Sequence, residues 1–200
     1  MENNNIDTKK IRQNIWEWIE TITVSFFVVV FTFTFIFRIV GISGDSMLNT
    51  LVDEERVIVS NLFYTPKQGD IVVISRNYLN NADDTSDSSS PIIKRVIATE
   101  GQTVDIDFQK GIVYVDGVAL DEPYIFSPTT NPQGTKFPLT VEEGCIFAMG
   151  DNRGRSMDSR DPIIGQIDCR EIVGKAIFII FPGNNEGHED RQLNRIGVVS

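Results

Sequence analysis

From Thr21 to Phe37 the chain carries no charge, and Phe26-Phe27-Val28-Val29-Val30-Phe31 lies at the centre of that run. Trp16 and Trp18 stand before it and Arg38 closes it. The pattern predicts a membrane-spanning helix, with tryptophans at one interface and a cation able to snorkel at the other. Phe31-Thr32-Phe33-Thr34-Phe35 alternates as a strand would, but the run is too long for a usual strand and has no turn residue inside it. A cleavable signal peptide is the stronger rival, because Gly41-Ile42-Ser43 offers a small-x-small site. Against it, the apolar run exceeds the ~7–15 residues usual for such segments and is followed at once by Arg38. Lys9, Lys10 and Arg12 before the span, against Asp45, Asp53, Glu54 and Glu55 after it, predict a cytoplasmic N-terminus and an extracytoplasmic body. The expected organisation is a short cytoplasmic stretch over 1–20, an anchor in the lipid bilayer over 21–42, a β domain over 43–182 and a polar tail over 183–200.

After residue 43 the apolar runs shorten to strand length: Arg56 to Ser60, Asp70 to Ser75, Ile92 to Ile97, Thr103 to Ile106, Gly111 to Val115, Cys145 to Met149 and Ile172 to Phe181. Turn residues separate them, and Asp116-Gly117 between Ile112-Val113-Tyr114-Val115 and Val118 predicts a tight hairpin. The fold class is mostly β, an antiparallel sheet behind one N-terminal transmembrane helix. Residues 77–91, rich in Asp, Ser and Asn, bury too little apolar surface to order themselves and are expected to form a mobile acidic loop.

Composition narrows the chemistry. With 28 acidic against 18 basic residues the net charge is -10, which argues against a nucleic-acid partner. Cys145 and Cys169 have no CxxC spacing, and the single histidine, His188, lies in the tail, so structural zinc is not expected. No cofactor is implied. Whether the two cysteines pair is left open, because a disulfide requires a distance that sequence does not supply.

Three stretches carry candidate chemistry. Ser43-Gly44-Asp45-Ser46-Met47-Leu48-Asn49-Thr50-Leu51 sets the Ser46 hydroxyl among small residues just past the apolar run, either as a polar turn or as a nucleophile. Ile92-Ile93-Lys94-Arg95-Val96-Ile97 is an apolar strand with two cations at its middle, and alternation sends them to opposite faces. Lys94 either snorkels to a carboxylate or is held neutral by burial so that it can act as a base, which arginine cannot do. Gly150-Asp151-Asn152-Arg153-Gly154-Arg155-Ser156-Met157-Asp158-Ser159-Arg160 is a dense polar loop. Its arginines make it a poor calcium loop, whereas Asp158 and Arg160 can form a bidentate pair and Ser156 and Ser159 can orient an amine. Without a usable histidine, a Ser-Lys dyad is the arrangement these stretches would form.

Taken together, these stretches resemble the type I signal peptidase family. Ser43 to Leu51 is similar to its nucleophile signature, Gly69-Asp70-Ile71-Val72-Val73 to its next strand, Lys94-Arg95-Val96 with Gly101 to its lysine strand, and Gly150 to Arg160 to its terminal signature. Tyr114-Val115-Asp116-Gly117 and Asp121-Glu122-Pro123-Tyr124-Ile125 resemble its connecting hairpin and loop. The resemblance implies an endopeptidase of the bacterial cell membrane, linked to the protein-export machinery, that removes signal peptides from preproteins after small-x-small sites. It implies Ser46 as nucleophile, Lys94 as general base and Ser156 as the residue orienting Lys94. It also implies Asp158, Arg160, Gly150, Asp151, Asn152 and Arg153 as support, Met47 as cover for the dyad, and the Ser46 backbone N–H as an oxyanion donor. Gly44 stands where some members have a hydroxyl donor, and Asn49 where the family usually has proline, which removes a fixed φ. A non-catalytic relative that assembles surface structures is the alternative of another class. Such a chain would be expected to lack Ser46 or Lys94, and both are present.

Overall fold

The structure, a computed structural model, describes residues 3–75, 91–183 and 192–199. Of the expected acidic loop only Pro91 is described, and residues 184–191 of the tail, His188 among them, also lie outside the described residues. The chain divides into two compact units, Met1–Arg38 and Ile39–Ser200.

The first unit is one helix, α1, Asn3–Phe35. Within it Lys10–Thr34 is long and apolar enough to cross a membrane by length and composition. Thr21, Thr23 and Thr32 each donate their hydroxyl to the carbonyl four residues earlier, so these polar groups need no outside partner. The helix begins earlier and ends sooner than the expected anchor. Residues 37–41 form strand β1 (Phe37–Gly41) instead. Sheet pairing and burial explain the difference: Ile42 is buried against Met47, Leu51 and Val57, and its N–H donates to Glu55 O at 2.7 Å. Hydropathy rises equally for the end of a span and for an apolar strand that follows it.

The second unit is antiparallel β. Its larger sheet is built from β1, β2 (Arg56–Ser60), β3 (Ile71–Ile74), β4 (Ile92–Thr99), β9 (Cys145–Met149), β10 (Ile167–Asp168), β11 (Ile172–Phe181) and β12 (Gly197–Val198), in the order β1-β2-β11-β3-β4-β9-β10 with β12 on β11. The smaller sheet is β7-β6-β5-β8, from β5 (Thr103–Asp107), β6 (Ile112–Val115), β7 (Val118–Ala119) and β8 (Leu139–Thr140). The Asp116-Gly117 hairpin forms with Val115 opposite Val118, and Asp116 (φ 53) and Gly117 (φ 79) both take the left-handed conformation that such a turn requires. Strands β2, β9 and β11 have the limits the apolar runs predict, whereas β7, β8, β10 and β12 are too short to leave a periodic signal.

Strand β4 positions the chemistry. It lies between β3 and β9, with Val72 opposite Lys94 and Met149 opposite Arg95. It is buried from Ile93 to Ala98, so side chains on both its faces enter packed interior. One core cluster gathers Met47, Leu51, Val57, Val73 and Ile93, a second Ile97, Val104, Val113 and Phe147, and a third Val72, Val96, Ile146 and Ile167. Cys145 packs against the second and Cys169 against the third. Both are free thiols, and burial pushes their pKa up.

Candidate active site

Ser46 sits on a turn pinned by apolar residues on one side and polar contacts on the other. Met47 and Leu51 are buried in the core, and Leu51 N–H closes the turn on Met47 O at 2.9 Å. Gly44, with φ 87, takes a backbone conformation that a side chain would strain, and its N–H donates to Asp53 Oδ1 at 2.7 Å. The carbonyls of Asp45 and Ser46 accept from Asn152, through Nδ2 and the backbone N–H respectively, each at 3.0 Å. Exposed Arg155 pairs with Asp45 beside them.

Lys94 reaches this turn from β4. It is 3% exposed and its Nζ donates to Ser46 Oγ at 3.0 Å. A neutral amine at that separation can equally accept the serine proton, which is the geometry a nucleophile and its base require. Between the two adjacent cations the structure assigns distinct tasks: Lys94 meets the hydroxyl, and Arg95, on the opposite face, enters a carboxylate network. Arg95 donates to Asp151 through Nε at 2.9 Å and Nη2 at 2.8 Å, and to Gly69 O at 3.0 Å. Its guanidinium stacks on the Tyr124 ring 3.9 Å from the centroid. Thr50, in the nucleophile's own turn, donates to the same Asp151 at 2.5 Å.

The loop after β9 is braced by fully buried ion pairs. Arg160 grips Asp158 with two hydrogen bonds of 2.8 Å and donates to Arg153 O at 2.9 Å. Asp158 in turn accepts the Gly150 N–H at 3.0 Å. Arg153 donates to Gly150 O at 3.0 Å, to Thr129 at 2.6 Å and to Glu122 at 2.5 Å. Such charge-assisted, bidentate contacts are what make buried charges tolerable. The Tyr124 phenol is pushed up chiefly by burial and then by Glu122, so it stays neutral. Gly150 has no room for a side chain: an added Cβ would lie 2.3 Å from Ser156 Oγ and 2.5 Å from Ser46 O. That contact brings Ser156 to within one missing methyl group of the nucleophile's backbone. Ser159 is differently engaged from the role expected of it, since its Oγ accepts the Ala148 N–H at 3.0 Å and braces β9.

All of the expected site residues thus fall into one contiguous set around Ser46. Sequence reasoning missed Thr50, Thr129, Glu122 and Tyr124 as working parts of it. Glu122 and Tyr124 entered only through resemblance, because a contact spanning 31 residues, such as Glu122 with Arg153, has no local spacing to betray it. A recess of about 180 Å³ opens beside the hydroxyl, lined by Ile42, Gly44, Ser46, Met47, Ile93 and Lys94 among others. Its lining is mixed, with Ile42, Met47 and Ile93 as apolar members and Ser46 and Lys94 as polar ones. A second cavity, about 370 Å³, is lined by Tyr64, Glu100, Cys145 and Cys169 and shares no residue with the set. Among the described residues no group of three or more His, Cys, Asp or Glu is arranged to hold a metal ion.

A family model described as "Signal peptidase, peptidase S26" matches residues 15–181. The chain is 40% identical over 149 residues to the "Probable signal peptidase I-1" of Synechocystis, covering 73% of this chain and 72% of that one. It is 32% identical over 195 residues to "Signal peptidase I S" of Bacillus subtilis, covering 92% and 97%. A crystal structure of a signal peptidase I from Enterococcus faecalis aligns at 26% identity and a TM-score of 0.42, covering 56% of this chain and 97% of that one.

Proposed function

The chain belongs to the signal peptidase family, peptidase S26, and from that premise we propose that it is a membrane-anchored serine endopeptidase using Ser46 and Lys94. The observation that carries this reading is the 3.0 Å approach of Lys94 Nζ to Ser46 Oγ, with the lysine almost wholly out of solvent. Neutral Lys94 takes the Ser46 proton as Oγ bonds to the scissile carbonyl carbon and the π electrons move to oxygen. The Ser46 backbone N–H receives that developing charge, the kind of stabilisation that supplies a large share of catalysis. As the C–N bond breaks, Lys94 returns the proton to the leaving amine. Water, deprotonated by neutral Lys94, then adds to the acyl carbon, and as the Oγ–C bond breaks Lys94 gives that proton to Ser46 Oγ, which restores both residues. Ser156, against Gly150 and close to the Ser46 carbonyl, orients the amine.

The substrates are signal peptides of exported preproteins with small residues at the first and third positions before the cut, which the narrow recess beside Ser46 favours over bulky ones. The apolar helix serves as a single-pass anchor with the N-terminus cytoplasmic and the β domain outside the cell membrane.

The test is cleavage of a preprotein with an Ala-x-Ala site by the full-length chain in detergent and phospholipid, beside Ser46→Ala and Lys94→Ala. Cutting by the wild-type chain alone is expected. Cutting that survives either substitution removes that residue from the mechanism. No cutting by any of the three, with folding and substrate verified, overturns the peptidase reading.

A further inference from the structure

The family match ends at Phe181, yet the chain beyond it returns to the turn that carries Ser46. Strand β12 pairs with β11 through Val198 opposite Phe178 and Gly197 opposite Ile179, and Val199 packs on the core cluster that holds Met47 and Leu51. This seats the 3-10 turn Leu193–Arg195 against residues 49–55. Arg195 Nε donates to Glu55 Oε1 at 2.6 Å, and Nη2 donates to Glu55 Oε2 at 3.3 Å and to Thr50 O at 3.0 Å. Longer contacts of 3.5 Å run from Nη1 and Nη2 to Asn49 O. The Glu55 side chain is fully buried, and its Oε2 also accepts the Val52 N–H at 2.9 Å. Gly183 closes the same side: a Cβ there would lie 1.9 Å from Asp53 O.

A planar guanidinium has donors fixed in a fork, so one side chain can hold a carboxylate and backbone carbonyls in a single orientation. Here it holds the backbone from Asn49 to Val52, the turn that Leu51 closes on Met47 immediately after Ser46. Asn49 occupies the place where the family resemblance has proline, whose ring would fix φ without outside help.

We propose that Arg195, seated on Glu55, is a positioning residue for Ser46: from the C-terminal segment it fixes the turn that proline would otherwise stiffen. The inference rests on the reading of Ser46 as nucleophile. Mispositioning a reacting group by a fraction of an ångström costs turnover more than substrate affinity. Arg195→Lys keeps a cation on Glu55 and loses the fork, whereas Arg195→Ala loses both. In full-length protein in detergent and phospholipid, active sites are counted with an acylating probe so that kcat refers to folded centres only. Arg195→Ala is expected to lower kcat about tenfold and Arg195→Lys about threefold, with KM within about twofold. Amide hydrogen exchange at residues 50–52 is expected to speed up in both. Asn49→Pro added to Arg195→Ala is expected to recover most of the lost kcat.

Unchanged kcat and unchanged exchange in both variants overturn the proposal, as does a loss carried entirely by KM or by the number of active sites. If Arg195→Ala does not fold, Arg195→Lys decides by the same criteria. If the wild-type chain cleaves nothing, the peptidase reading falls separately. Exchange at 50–52 in Arg195→Lys then decides the clamp, faster exchange supporting it and unchanged exchange overturning it.

Discussion

A lysine serves as a general base only when its ammonium can be discharged near neutral pH, and burial away from water is the means by which a protein achieves this. Lys94, the base of the proposed mechanism, is buried in a strand packed on both faces. Lys94→Arg preserves charge and nearly preserves length but cannot give up its proton. We expect it to reduce cleavage by about 10²–10⁴-fold, the usual contribution of a general base, with the circular dichroism spectrum unchanged. Normal turnover would exclude Lys94. The proposed base gives the pH profile its sign: with the deprotonated amine as the active form, kcat/KM should rise with pH to a plateau, and a flat line from pH 6 to 9 would contradict the proposal. At this scale residue type alone singled out Ser46 and Lys94 as candidates, and the structure brings them to 3.0 Å. It was silent on Arg195 and Glu55, because a surface-looking arginine near the end of a chain has nothing in its neighbourhood to mark the carboxylate it will meet.

The loop from Gly150 to Arg160 is the element whose integrity depends most on charge. Asp158 and Arg160 are both fully buried and each satisfies other groups, Asp158 the Gly150 N–H and Arg160 the Arg153 carbonyl. Removing one partner strands the other, so Asp158→Ala should destabilise the domain by about 3–5 kcal/mol, read from urea denaturation. A much smaller loss would mean that the loop is held by backbone contacts alone. A surface pair contrasts with it. Asp168 caps the 3-10 turn Cys169–Glu171, and its hydrogen bonds with Arg170, side chain before backbone, hold its pKa down at about 2. With its folded pKa below the unfolded one, its contribution to stability is full above about pH 4 and is lost as pH falls through about 2. A carbon-13 titration of the Asp168 carboxyl should show that low midpoint, and Asp168→Asn should remove this part of the acid dependence. Elements with a strong period were readable from sequence, as β2, β9 and β11 were. The two-residue strands exist only because neighbours offer them an edge, and β1 was hidden inside the hydropathy of the segment before it.

At the scale of the molecule, the chain divides into Met1–Arg38 and Ile39–Ser200, and the residues of all three hydrophobic clusters belong to the second unit. Deleting residues 1–38 is expected to shift the chain from a carbonate-resistant membrane pellet to the soluble fraction while thermal unfolding stays cooperative. Retention in the pellet would mean that the β domain binds lipid strongly by itself, and loss of cooperativity that the helix supports the fold. One further consequence follows from the adjacency of Lys94 and Arg95. Because neighbouring positions in a strand face opposite ways, a slip of one residue in the pairing of β4 with β3 would either put Arg95 at Ser46 and Val96 at Asp151, or put Ile93 at Ser46 and Lys94 at Asp151. In either register Ser46 loses the amine, so such a chain could be compact and yet inert. Strand alignment here is thus a catalytic variable, and activity per mole of folded protein is a direct gauge of how faithfully the two strands find each other.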